Sequence, residues 1–126
     1  MSDLLNNTIT VKIGDDEFVF KVPSPKDYIQ IGMHAAALRR AMDPQHIGNV
    51  QSIDAYTYEL IQSVAVMQVC LQNSSAQWAY SEVEDGNGKA SVQVNLDKFP
   101  PKAITVLAQI NDQFEAEVSR FLSEGN

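Results

Sequence analysis

A chain of 126 residues, 44% hydrophobic and 20% charged, has the composition of a globular protein and enough length to bury a core without disulfides. Sixteen acidic against nine basic residues give a formal net charge of -7, and among the scattered lysines and arginines only Arg39 and Arg40 are adjacent, which argues against a nucleic-acid reader. The single cysteine, Cys70, excludes an internal disulfide and a thiolate zinc cage and fits a reducing compartment.

Residues 1–7 lack a basic region followed by a long apolar run, so they do not read as a signal peptide and are expected to be flexible. From Thr8 to Ile13 the chain alternates, with Ile9, Val11 and Ile13 on one side; Gly14-Asp15-Asp16 reads as a turn, and Glu17 to Val22 alternates again with Phe18, Phe20 and Val22 on one side. This is a β-hairpin with one apolar face, which needs helices to cover it.

Ser24-Pro25-Lys26-Asp27 is a helix start, with Ser24 as N-cap, Pro25 at the first position and Asp27 near the positive end. The helix is expected to reach about Ala41, lined on one side by Tyr28, Ile31, Ala35, Leu38 and Met42, with Gly32 and Ala36 allowing close approach of a neighbouring helix. Asp43-Pro44 ends it, and a loop through His46, Ile47 and Gly48 leads to Ser52, a second cap, with Asp54 in the following first turn.

Ser52 to Asn73 contains the most apolar run, Leu60 to Leu71, and is expected to form a buried central helix. Ile53, Tyr56, Leu60, Val64, Met67 and Leu71 make its strongest stripe. Interrupted by Gln62, Ser63 and Gln68, the run falls short of the ~20 residues of a membrane span. Asn73-Ser74-Ser75 marks its end. Asp85-Gly86-Asn87-Gly88 then reads as the turn of a second small hairpin, with Val92, Val94 and Leu96 alternating beyond it; a mobile loop over 74–96 is the competing reading. After a tight turn begun by Asp97, Pro100-Pro101 opens the last helix, with Ile104, Leu107, Ile110, Phe114, Val118 and Phe121 on its apolar side and a flexible tail at 123–126. The whole chain, 1–126, reads as one α+β domain, mainly α: an N-terminal hairpin, three main helices with the central one buried, and a small second hairpin before the last helix.

Catalytic signals are weak throughout. Cys70 lies inside the buried run, where a small apolar filler is far commoner than a reactive thiol. His34 and His46 lack the i, i+4 partner of a zinc helix. The Asp85 to Leu96 stretch superficially resembles a calcium loop, but Lys89 stands where an oxygen ligand belongs, Ala90 replaces the central glycine and Leu96 the bidentate acid. No cofactor, metal or catalytic residue is expected, and a small hydrolase or isomerase would need two carboxylates converging in a pocket. Aromatic residues carry the stronger signal: on the hairpin reading Trp78 and Tyr80 share a face with Glu82 and Glu84, as in protein-binding surfaces, against the plain alternative that both pack in the core. Tyr56 and Tyr58 cannot both point inward; with only two amphipathic helices and two short hairpins to cover it, the central helix is expected to be the floor of a partner-binding groove, and Tyr58, Ile61 and Val69 on its flank are the further candidates for partner binding.

A hairpin ending in Val22-Pro23-Ser24-Pro25-Lys26-Asp27-Tyr28, a helical body, a tryptophan at Trp78 and an acidic helical C-terminus together resemble the small tail assembly chaperones of long-tailed (siphovirus-type) bacteriophages. The resemblance spans most of the chain as a layout, without a diagnostic motif. It implies a non-enzymatic protein of the host cytoplasm that binds the helical tape measure protein and helps tail tube subunits gather around it, with no nucleic-acid or membrane partner and with homo-oligomerisation left open. Genes of that family often make a longer product by a minus-one frameshift, and Glu124-Gly125-Asn126 can be encoded, among several ways, by GAG GGA AAC or GAG GGA AAT, which contain the slippery pattern G GGA AA followed by a pyrimidine. An acidic chaperone of a bacterial secretion system and a minor structural tail protein are the alternatives.

Overall fold

The computed structural model describes residues 8–42, 55–84, 86–88 and 90–124. Strands β1 (Thr8–Ile13) and β2 (Asp16–Lys21) pair antiparallel from Thr8↔Lys21 to Ile13↔Asp16. The two-residue turn follows from Gly14, whose φ of +61° is easily reached only without a side chain; Asp15 has no positive φ, the pattern of a type II′ hairpin turn. Ile9, Val11, Ile13, Phe18 and Phe20 all turn to the buried face, as their alternation requires.

Helix α1 (Pro25–Met42) begins with a reciprocal cap. The Asp27 amide donates to Ser24 Oγ at 3.2 Å, and the Ser24 amide donates back to Asp27 Oδ2 at 2.9 Å. Lys21, from the end of β2, adds an ion pair to Asp27 Oδ1 at 3.2 Å. Burial works against the charge on this carboxyl, but the Ser24 amide, the Lys21 ammonium and the Ser24 hydroxyl outweigh it and hold Asp27 below its ordinary pKa. Ile31 and Ala35 are buried, while Tyr28 remains partly exposed. Gly32 does not serve a close helix contact: a Cβ placed there would meet open space.

Helix α2 (Ala55–Cys70) is the buried centre, flanked by α1 and α3 (Ala103–Glu124). Ile61, Ser63, Val64, Ala65, Val66, Met67 and Cys70 are all buried. The expected stripe is corrected at one end, since Tyr56 is exposed and so is Tyr58. The expected helix also stops earlier than Asn73. At Leu71 the chain becomes strand β3 (Leu71–Ser74), which pairs antiparallel with the free edge of β2, giving a three-stranded sheet in the order β1-β2-β3. The register shifts by one residue between Val19, opposite Asn73, and Phe20, opposite Leu71, and the Ser75 amide donates to the Glu17 carbonyl at 3.0 Å beyond the end of the ladder.

A single 3-10 turn at Gln77–Ala79 precedes the second hairpin, β4 (Ser81–Glu84) and β5 (Ala90–Gln93), paired from Ser81↔Gln93 to Glu84↔Ala90. This excludes the loop alternative for those strands. Asn95 then caps another 3-10 turn, Leu96–Lys98, its Oδ1 accepting from the Asp97 amide at 3.2 Å. Pro100 and Pro101 lie in the turn before α3, where their carbonyls accept from the Ala103 and Ile104 amides. Leu107, Ile110, Phe114 and Val118 are buried as expected; Ile104 is instead exposed. Ser123 and Glu124 belong to the helix, so the expected tail is shorter. The architecture is therefore α+β and mainly α. Residues 1–7, Asp43, Pro44, His46, Ile47, Gly48, Ser52, Ile53, Asp54, Asp85, Lys89 and residues 125–126, for which expectations are given above, lie outside the described residues.

Candidate protein-binding groove

Beside α2 runs an apolar groove of about 390 Å³. Four segments build it: Leu38 from α1, Leu60 and Ile61 from α2, Leu96 and Phe99 around the second 3-10 turn, and Ile104 at the start of α3. Each is there for a local reason. Leu38 continues the inward line of Ile31 and Ala35 on α1, Leu60 lies one turn before Val64, and the Asn95 cap directs Leu96 inward while Pro100 and Pro101 fix the entry to α3. Among the described residues that line it, Thr57 supplies the one side-chain polar group and none is ionisable. A neighbouring cleft of about 520 Å³ shares Leu38 and Leu96 and extends the groove past Val94 towards Asp97. Such a surface can cover apolar side chains, at about 1.5–3 kcal/mol for each Leu, Ile or Phe fully buried.

The sequence candidates divide between this groove and other places. Ile61 lines it, yet is only 2% exposed, so it forms the floor and not a contact edge. Tyr58 and Val69 lie on α2 outside the lining, Tyr58 exposed and Val69 half-buried. Trp78 and Tyr80 are not on a strand with Glu82 and Glu84: Trp78 is in the 3-10 turn and Tyr80 caps it. Trp78 packs edge-on against Phe18 at 6.1 Å and against Phe99 at 5.0 Å between ring centroids, so it is an extension of the core. The Tyr80 hydroxyl donates to Asn73 Oδ1 at 3.0 Å. Both rings line a small cleft of about 220 Å³ together with Gln77, Ser81, Asn95 and Lys98. Leu38, Leu60, Leu96, Phe99 and Ile104 were not singled out by sequence as partner residues, because each belongs to an ordinary apolar pattern and only the fold brings them together.

Cys70 is fully buried, and burial pushes its thiol up to about 12. His34 is exposed on α1. Among the described residues no three His, Cys, Asp or Glu side chains are grouped to hold a metal ion, and no helix is long and apolar enough to cross a membrane. Comparison with protein-family models, with curated proteins and with solved structures finds no match to this chain.

Proposed function

We propose that this protein is a non-enzymatic tail assembly chaperone that holds an apolar helical segment of a phage tape measure protein in the groove beside α2 and so helps tail tube subunits gather around it. The observation that carries this reading is the groove itself: an apolar channel with no ionisable group among the described residues that line it, its rim including Ile104 at 46% exposed. An amphipathic helix presents the complementary surface, a stripe of apolar side chains at three- and four-residue spacing. The net charge of -7 keeps a protein with such a surface soluble and separate from its own copies. The choice of tape measure protein as occupant rests on the resemblance in layout described above.

Co-expression tests it. A tape measure protein from the same genome should stay soluble with the intact chain and purify with it, and should aggregate without it. Solubility independent of the chain, or co-purification with a secreted effector and not with a tape measure protein, would replace this reading.

A further inference from the structure

Helix α1 packs its Asp27, Ile31 and Ala35 side inward, so the opposite side faces solvent. An ordinary one-sided helix is polar there. Here the two residues pointing most directly outward in the middle of the helix are Ile29 and Met33, 65% and 66% exposed, one turn apart. Gly32 and Ala37 flank them, both exposed, and above Gly32 there is open space. The outer side of α1 is thus an apolar strip low enough for another backbone to approach closely.

Its charges say what kind. Lys26 and Arg40 are exposed on the same side, one at each end of the strip, and Arg39 lies next to Arg40. The one acid of α1, Asp27, is turned inward and bound to Ser24 and Lys21. In a chain of net charge -7, this face is apolar in the centre and positive at both ends. The cationic positions are 14 residues apart, about 21 Å at 1.5 Å per residue. A second copy of the same face is a poor occupant. Antiparallel packing sets Lys26 against Arg40, parallel packing sets each against itself, and both juxtapose like charges.

We infer that the outer face of α1 is a second docking surface, for an amphipathic helix of another protein whose apolar strip covers Ile29 and Met33 and whose acidic residues meet Lys26 and Arg40. It is separate from the groove beside α2 and does not depend on what occupies that groove.

The probe is a pair of fluorescein-labelled helical peptides of about 18 residues, long enough to span the strip, identical in their leucine stripe and carrying glutamates or lysines at both ends. Fluorescence anisotropy with the full chain should show the glutamate peptide binding at least tenfold more tightly. The double change Ile29→Gln, Met33→Gln should weaken it at least tenfold with an unchanged circular dichroism spectrum, since both side chains are already exposed. Lys26→Glu with Arg40→Glu should reverse the preference between the two peptides, and Ile104→Glu, in the groove, should leave it unaltered. Equal binding of the two peptides, no binding of the glutamate peptide, loss of binding in Ile104→Glu alone, or self-association of the chain abolished by the Ile29/Met33 double change would each overturn the inference.

Discussion

The hydroxyl of Ser63 donates to the main-chain carbonyl of Leu107 across the α2–α3 interface, and the same oxygen accepts from the Asn111 amide at 3.0 Å. Leu107 and Asn111 are a carbonyl and amide four residues apart, the pair that closes a turn of α3. A fully buried hydroxyl on the most apolar helix is therefore satisfied on both sides, by insertion beside the hydrogen-bond ladder of its neighbour. Ser63→Ala should lower stability by about 1 kcal/mol, the low end of the usual penalty, because Leu107 and Asn111 can then bond each other. Ser63→Val, which is larger than serine and places methyl groups against both polar atoms in a packed interface, should cost more. Urea denaturation of the two variants measures the difference.

Asp27 gives the fold an acid sensitivity with a definite sign. Its carboxyl is held below the ordinary value of 3.8, so the stabilisation from Ser24 and Lys21 is fully present above that value and is lost as pH falls through the lower, folded-state pKa. Asp27→Asn should be less stable than the wild type at neutral pH, by about 1 kcal/mol for a weakened cap, and the gap should narrow below pH 3.8. Thermal unfolding followed across that range checks it; a gap that is constant with pH would contradict it.

Cys70 should behave as a reporter of unfolding. Fully buried and with its thiol at about 12, it carries almost no thiolate at neutral pH. An aromatic disulfide reagent should leave the native protein unmodified and react only over the urea range in which the helical signal is lost. Rapid reaction in native buffer would mean that the centre of α2 opens locally.

Trp78→Ala should act through packing. Removing the indole breaks its edge-on contacts with Phe18 and Phe99 and leaves a void beside β2, costing about 3 kcal/mol, the lower end for a buried aromatic since Trp78 is half-exposed. Phe114→Ala, which removes a fully buried ring 5.2 Å from Phe20, should cost more, up to about 5 kcal/mol. Chemical denaturation orders the two.

Where local pattern decides the structure, the sequence was readable. The alternation of Ile9, Val11, Phe18 and Phe20, the Ser24-Asp27 cap and the Leu107 to Val118 stripe each predict an element that is present. The end of α2 was not readable, because Leu71 prolongs the apolar run and a 3.6-residue period cannot announce a switch to strand. That switch depends on the open edge of β2, more than 50 residues earlier in the chain. Of the two readings of Trp78, the strand face fails for a related reason: alternation through Tyr80, Glu82 and Glu84 looks like one strand, whereas the strand starts only at Ser81 after a 3-10 turn. Of the groove beside the central helix only the floor, at Ile61, was legible; its walls were not, since Leu38, Leu60, Phe99 and Ile104 come from four segments that sequence spacing does not relate.

Ile104 offers the most direct test of the proposed role, because it lines the groove while standing 46% exposed at the first turn of α3, where a charge should not disturb the core. The measurement is the dissociation constant for a tape measure protein of the same genome, by calorimetry, for the wild type and for Ile104→Glu with its melting temperature checked. We expect binding by the wild type, at least tenfold weaker binding by the variant, and melting temperatures that agree. Equal affinity in a folded variant would contradict the groove as the binding site.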